Sequence, residues 1–183
     1  MEIFLETERM VLRPFATTDI DRLVELDSDP EVMRFINGGR PTPHDEIRTR
    51  ILPRFLQHHP TIGTFGYWAA ETIDHRTFLG WFEFRPLDGE STAVELGYRL
   101  RRPAWGRGYA TEGARALIRK GFTELGVQRV IARTMSVNAA SRHVMEKAGL
   151  THVRTYSEDW PDPIPGSEQG ELEYALTKAD WQG

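Results

Sequence analysis

A short glycine-containing segment, Trp105-Gly106-Arg107-Gly108-Tyr109, has the composition of an anion-binding loop. It follows a stretch rich in β-branched and aromatic residues and precedes a long amphipathic pattern, which predicts that it joins a strand to a helix. The free N–H groups of a helix's first turn and the helix dipole favour a phosphate, and glycines let the backbone approach it closely. Arg101, Arg102 and Arg107 add local positive charge. The segment is therefore predicted to bind a phosphate, and an ordinary turn with solvated arginines is the alternative.

Two other phosphate-binding motifs fit this segment less well. A Walker loop ends in Gly-Lys-Ser/Thr, whereas Gly108 is followed by Tyr109 and Ala110. A dinucleotide-binding fingerprint needs its third glycine where Thr111 stands, and it lies inside a parallel βαβ unit. ATP hydrolysis and dinucleotide binding are therefore disfavoured.

The elements that must position this loop follow from the hydrophobic pattern. Three runs upstream predict an antiparallel meander, and the spacing downstream predicts two helices that alternate with strands. The predicted strands cover residues 65–71, 77–85, 92–100, 129–135 and 171–176, and the predicted helices cover residues 110–125 and 138–148. Gly126 and Gly149 are the expected helix stops.

The N-terminal part predicts one strand followed by short helices. Residues 8–15 alternate as a strand, and residues 16–19 are a plausible helix start. A second short helix is expected near Asp29-Pro30-Glu31, with proline in its first turn. Residues 43–57 carry apolar side chains on one helical face, although Pro53 could interrupt that helix. The element order predicts an α/β (mixed α+β) fold with helices on both faces of a mixed sheet.

Composition narrows the class of protein. With 183 residues, 39% hydrophobic and 27% charged, the chain is predicted to form one domain over residues 1–183. The absence of cysteine excludes disulfides, thiolate metal sites and a cysteine nucleophile. A net charge of −4 gives no reason to expect nonspecific binding to nucleic acid or anionic membranes. Without a spanning apolar run or a signal-like N-terminus, a soluble cytoplasmic protein is expected.

Two blocks of sequence together resemble the GNAT acetyltransferase superfamily. Pro103-Ala104-Trp105-Gly106-Arg107-Gly108 matches the signature Arg/Gln-x-x-Gly-x-Gly/Ala, with Pro103 where the superfamily usually has Gln or Arg. Residues 138–150 look like the family's Asn-x-x-Ser…Lys-x-Gly-Phe/Leu helix. With residues 7–14 and Glu95-Leu96-Gly97-Tyr98, the similarity covers nearly the whole chain and is closest to the RimJ/RimL-like branch. The implied GNAT fold has a mostly antiparallel mixed sheet with a splayed central strand pair.

The resemblance implies acetyl-coenzyme A as cosubstrate and no metal ion. Backbone amides from Arg107 to Thr111 would hold the pyrophosphate, and the pantetheine arm would pair like an extra strand along residues 100–102. Asn138 would bond the same arm, and Arg142 and Lys147 would lie near the nucleotide unless they form a solvated helix face. Gly97 inside a strand indicates a bulge or a close backbone approach, and in this family a bulge there opens the cofactor slot. The expected cofactor-binding residues are Leu100, Arg101, Arg102, Gly106, Arg107, Gly108, Tyr109, Ala110, Thr111, Asn138 and Arg142.

Acetyl transfer from a thioester needs a neutral amine, a stabilised oxyanion and a proton for the leaving thiolate. The Glu and Tyr that some members use would stand at Thr134 and Met145, so that acid–base pair is absent. By resemblance to the RimL-like branch, Ser141 is the expected general acid. The alternative is a hydroxyl bonded to the helix backbone.

Glu95 is the preferred candidate for the general base. It shares one face of its strand with Gly97 and Arg99, opposite the apolar residues. Glu83 is the rival, and either carboxylate could instead pair with an arginine such as Arg85. An α-amine titrates near ~8 and a lysine near ~10.4, so the lack of a strong base favours α-amines or other weakly basic acceptors.

Tyr98 and Trp160 are the candidate residues for an acceptor pocket, with core packing as the alternative. Tyr98 precedes the cofactor loop, and Trp160 begins a proline-rich loop that extends to residue 170. The expected reaction is direct acetyl transfer to a primary amine in a ternary complex. Its acceptor would be a protein N-terminus or a small molecule such as a polyamine, amino acid or antibiotic, and a non-catalytic acyl-CoA-binding module is the other reading. A homodimer is expected from family habit, and no nucleic acid or membrane partner is expected.

Overall fold

An eight-stranded sheet organises the chain, in a computed structural model that describes residues 2–59 and 64–183. The strands are β1 (Leu5–Glu6), β2 (Met10–Arg13), β3 (His58–His59), β4 (Thr64–Phe65), β5 (Tyr67–Thr72), β6 (Phe78–Leu87), β7 (Glu90–Leu100), β8 (Arg129–Met135), β9 (Thr151–Tyr156) and β10 (Glu171–Thr177). The order in the large sheet is β1-β2-β5-β6-β7-β8-β10-β9, and β3 and β4 form a separate ribbon. Neighbouring strands are antiparallel except β7 and β8.

The parallel strands β7 and β8 separate partway along their length. Their pairing ends at Glu95 and Ile131, although β7 continues to Leu100 and β8 to Met135. On its other side β7 stays paired with β6 as far as Leu100. A gap therefore opens between β7 and β8 beyond Glu95, and the splayed pair that the resemblance implied is present.

Helices cover both faces of the sheet, as the element order predicted. They are α1 (Ile20–Asp27), α2 (Arg34–Asn37), α3 (His44–Glu46), α4 (Leu52–Phe55), α5 (Tyr109–Glu124) and α6 (Ala139–Lys147). On one face, α5 and α6 pack Leu117 and Met145 into the larger hydrophobic core. On the other, α1 and α4 pack Leu23 and Phe55 against Trp81. Within the part of the chain that the structure describes, no helix is long and apolar enough to cross a bilayer.

The helix predicted over residues 43–57 is interrupted. Between α3 and α4 the chain forms a π-helical turn, Ile47–Ile51, in which the Leu52 amide donates to the carbonyl of Ile47. Pro53 has no amide hydrogen to continue the regular ladder, and the wider turn accommodates this defect. The short helix expected near Pro30 begins at Arg34 instead, after a turn.

Candidate active site

The gap between β7 and β8 exposes a backbone edge. The Arg101 amide donates to the Leu79 carbonyl at 2.8 Å, so odd-numbered residues of β7 bond β6, and the N–H and C=O groups of Leu96 and Tyr98 face the gap. The Leu100 carbonyl accepts a 2.8 Å bond from the Trp105 indole. An extended ligand arm can therefore pair with β7 between Leu96 and Leu100, one step earlier than the stretch of residues 100–102 that was expected to bind it.

The loop before α5 presents a run of free amides. Gly106 and Gly108 have φ of +68° and +82°, a conformation that side chains strongly disfavour. Across the described ranges, no backbone N–H from Gly106 to Thr111 donates a hydrogen bond, and the next amide, of Glu112, donates to the Gly108 carbonyl at 3.0 Å. These amides and the positive end of α5 fit a pyrophosphate.

Two of the three arginines expected at the phosphate point elsewhere. Arg101 donates to Glu25 at 2.9 Å, and Arg102 donates to Asp29 at 3.0 Å. The acidic end of α1 packs beside the end of β7, so it neutralises the charge that the sequence placed at the loop. Arg107 makes no ion pair within the described residues and lies over the Tyr109 ring, 5.6 Å from its centroid.

A hydrogen-bond network from the turn between β1 and β2 holds this loop. Thr7 and Arg9 each donate to the Glu112 carboxylate at 2.7 Å, and Arg9 also donates to the Arg107 carbonyl at 2.9 Å. Its guanidinium lies 4.3 Å from the Tyr109 ring centroid. Burial alone would raise the pKa of Glu112, but the bonds from Thr7 and Arg9 outweigh it and lower that pKa. Arg9 is therefore a positioning residue for the amide loop.

Replacing Arg9 with methionine is expected to raise the KM for acetyl-CoA by about 10-fold while changing kcat less, because the loss of its bonds to Glu112 and to the Arg107 carbonyl loosens the loop. Steady-state kinetics at saturating amine would measure this. Arg48→Met, on the exposed face of the π-helical turn, is the matched control. An unchanged KM would show that the loop holds its shape without Arg9.

A cleft of about 900 Å³ adjoins the same loop. Gly108, Thr111, Arg115, Arg119 and Lys147 contribute to its walls. The Arg115 guanidinium donates to the Lys147 carbonyl at 2.8 Å, which joins α5 to the end of α6. The cleft provides cationic side chains beside the phosphate loop.

Asn138 and Arg142 lie apart from this cleft. The Asn138 side chain caps α6 by accepting the Ser141 amide at 3.3 Å. Arg142 donates to the Ser136 carbonyl at 3.2 Å. Both side chains bond the backbone around the turn between β8 and α6, and their direct contacts with the cofactor stay a prediction.

Tyr98 and Ser141 meet where the gap opens. The Tyr98 hydroxyl lies 3.0 Å from the Ser141 hydroxyl and donates to the Ser141 carbonyl at 3.1 Å. Burial raises the pKa of Tyr98 to about 12. Tyr98 therefore contacts Ser141, the expected acid, on the face covered by α5 and α6.

A partly buried ionic cluster lies on the opposite face. Arg85 bridges Glu83 and Glu95, with 2.9 Å to the Glu95 carboxylate, and Tyr67 donates to Glu83 at 3.1 Å. Burial raises the pKa of Glu95, and the negative charge of Glu83 raises it further. A Cβ on Gly97 would lie 2.7 Å from the Glu83 carboxylate, and the β6–β7 register is unbroken there. Gly97 thus permits a close approach and forms no bulge against β6.

A cavity of about 760 Å³ opens above this cluster. Its floor includes Glu83, Glu95 and Trp81, and its walls include Arg54 and residues of the loop after α2. Trp160, expected in an acceptor pocket, is not among the described residues that line it. Its loop reaches the rim through an ion pair between Asp162 and Arg40.

Known proteins with this arrangement are acetyltransferases. The profile of the Acetyltransferase (GNAT) domain matches residues 9–151. The chain is 36% identical to FsC-acetyl coenzyme A-N(2)-transacetylase of Aspergillus fumigatus, over 97% of this chain and 77% of that protein. The crystal structure of a GNAT-family acetyltransferase from Bacillus anthracis superposes with a TM-score of 0.81 at 26% identity, covering 97% and 99% of the two chains. RimL, the ribosomal L7/L12 α-N-protein acetyltransferase solved with coenzyme A, has a TM-score of 0.78 at 17% identity, covering 96% and 98%.

The family match covers most of the chain, and the strand gap and amide loop lie within it. The chain belongs to the GNAT acetyltransferase family and is an acyltransferase, an N-acetyltransferase.

Proposed function

We propose that the protein transfers the acetyl group of acetyl-coenzyme A to the α-type primary amine of a small molecule, by direct attack in a ternary complex. The observation that carries this is the gap between β7 and β8, which connects the two faces of the sheet beside Glu95. The amide loop and the Tyr98–Ser141 pair lie on the donor side, and the 760 Å³ cavity lies on the acceptor side.

On the donor side, the amides of residues 106–111 bind the pyrophosphate, and β7 between Leu96 and Leu100 pairs with the pantetheine arm. Arg115, Arg119 and Lys147 bind the nucleotide phosphate in the adjoining cleft. When bound, acetyl-coenzyme A supplies an acetyl group activated as a thioester, and its sulfur departs as a thiolate that needs a proton.

Glu95 and the Tyr98–Ser141 pair handle the protons. Glu95, at the last paired position of β7, accepts the proton that the amine gives up. The pKa of Glu95 is raised, which brings it nearer to the pKa of an α-amine, about 8. Ser141 donates to the departing thiolate, and the Tyr98 hydroxyl positions the serine and can return a proton to it.

The acceptor assignment draws on the relatives. The name of the Aspergillus protein specifies an N(2) position, which favours an α-type amine. RimL supports the RimJ/RimL-like branch and a protein N-terminus as the second candidate acceptor. The cavity volume of about 760 Å³ is that of a typical small-molecule site, and this favours a small molecule as the acceptor.

Release of free coenzyme A thiol tests this proposal. Purified protein with acetyl-coenzyme A is expected to release thiol with amino acids and short peptides, and mass spectrometry is expected to find the acetyl group on their α-nitrogen. Ser141→Ala is expected to lower kcat by about 10²-fold, the lower part of the range for a general acid. Ser28→Ala, at the exposed end of α1, is the control. No thiol release with any amine would contradict the proposal.

A further inference from the structure

The carboxylates of the acceptor cavity are already paired with arginines. Those on its walls and floor are Asp27, Glu46, Glu83 and Glu95, and the arginines are Arg40, Arg50, Arg54, Arg85 and Arg99. Asp27 accepts from Arg99 at 2.9 Å, Glu46 pairs with Arg50, and both Glu83 and Glu95 pair with Arg85. Arg133 also lies 3.7 Å from the Glu95 carboxylate. Each of the four carboxylates therefore has an arginine partner, and none is free to neutralise a second ammonium group on an acceptor.

Arg54 is the arginine of this cavity without a carboxylate partner among the described residues. Arg40 is paired with Asp162, whereas the Arg54 guanidinium rests 5.2 Å from the centroid of the Tyr67 ring. A guanidinium placed over an aromatic ring keeps its N–H donors available for a carboxylate, which it can bind through two bonds. The Nε atom of Arg99 is also buried, and it has no hydrogen-bond partner in the described parts of the chain.

The arginines also act on a nearby histidine. Burial lowers the pKa of His59, and the charges of Arg85, His58 and Arg54 lower it further. The positive potential of Arg54 and Arg85 therefore extends to the His59 ring. An anionic group is favoured in this part of the cavity, and a polycation is disfavoured.

The contacts of Tyr67 indicate how an acceptor would be oriented in the cavity. Its ring contacts Arg54, and its hydroxyl donates to Glu83, which shares Arg85 with the proposed base Glu95. One tyrosine side chain and one ion pair thus separate Arg54 from the carboxylate that would receive the amine proton. An acceptor that contacts both ends must carry its amine and its anionic group several bonds apart.

Building on the proposed function, we propose that the acceptor is an amino carboxylate of the size of a short peptide, whose carboxylate binds Arg54 while its α-amine faces Glu95. Polyamines are not substrates of this cavity, because no unpaired carboxylate is present to receive their second charge. The class includes dipeptides, tripeptides and other amino-acid derivatives with a free carboxylate.

Matched acceptors test this inference. Alanyl-alanine and trialanine would be compared with their C-terminal amides and with spermidine, by thiol release from acetyl-coenzyme A. The wild-type kcat/KM is expected to be about 10–100-fold higher for an acid than for its amide, the usual effect of a charge-assisted bond. Arg54→Gln is expected to remove that preference by lowering the value for the acid alone, and Arg54→Lys is expected to retain part of it.

Arg48→Gln serves as the control, since Arg48 lies on the preceding helical turn, is paired with Asp45 and does not line the cavity. It is expected to keep the wild-type preference. Equal rates with acids and amides, faster turnover of spermidine, or an unchanged preference in Arg54→Gln would overturn the inference and leave the proposed acetyl transfer intact. Absence of thiol release with every amine would instead refute the proposed function.

Discussion

Replacing Glu95 with glutamine is expected to lower kcat by about 10²–10⁴-fold, the range for loss of a general base. The amide occupies nearly the same volume but cannot accept the proton of the attacking amine. Glu95 is placed for that role because β7 and β8 part at its position and its side chain lines the acceptor cavity. The decrease is expected mainly in kcat, since the acetyl-CoA loop lies beyond the end of the strand.

The pH dependence gives a second readout for Glu95. Burial raises its pKa, so the active carboxylate form is lost, and kcat falls, as pH decreases through a value above the ordinary range for Glu. Glu95→Gln is expected to remove this decrease of kcat at acidic pH. Glu90→Gln, at the exposed start of the same strand, should keep the wild-type kcat and its decrease at acidic pH. A wild-type rate in Glu95→Gln, with a low rate in Glu83→Gln, would transfer the role to Glu83.

Replacing Arg13 with methionine is expected to cost about 3–5 kcal/mol of unfolding free energy, because the two buried carboxylates Asp19 and Glu71 then keep only the partly exposed Arg22 as an ionic partner. Arg13 donates two 2.8 Å bonds to Asp19 and bonds of 2.9 and 2.7 Å to Glu71. Burial alone would raise the pKa of Asp19, but the Arg13 bonds and the Ala16 amide lower it. Asp19 therefore stabilises the fold above its unfolded pKa, and this contribution is lost as pH falls through the lower folded value.

Calorimetry would measure the effect of Arg13→Met as a decrease in Tm of roughly 6–20 °C, at about 2–4 °C per kcal/mol for a chain of this size. Arg48→Met removes an exposed ion pair and is expected to change stability by less than about 1 kcal/mol. Adding Glu71→Gln to Arg13→Met should restore part of the loss, since one buried charge is removed. A decrease like that of the control would show that the buried network contributes no net stability.

The sequence determined the features that depend on local patterns. The period-2 alternation of β7 placed Glu95 and Arg99 opposite Leu96, and the structure separates them onto the cavity and the core in that way. The Gly106-Arg107-Gly108 segment precedes α5 as predicted, since positive φ and free first-turn amides are local properties of the backbone. The mixed α/β fold with helices on both faces is confirmed.

Patterns were less informative where burial does not alternate. The edge strand β9 is largely exposed on both faces, so its sequence carries no period-2 signal, and no strand was specified there. For the helix before β3, the sequence indicated only a possible interruption at Pro53. The π-helical turn itself could not be predicted, because it depends on how the neighbouring hydrogen bonds rearrange around the missing amide hydrogen.

Only the tertiary structure decided which partners the polar side chains find. Arg101 and Arg102 were predicted to face a phosphate, but acidic residues more than 70 positions away in the chain bind them. Tyr98 contacts Ser141, which is 43 positions away, and Arg9 contacts Glu112, which is 103 positions away. The physical reason is that an ion pair or a hydrogen bond depends on distance in space, whereas periodicity and turn chemistry report only on neighbours along the backbone.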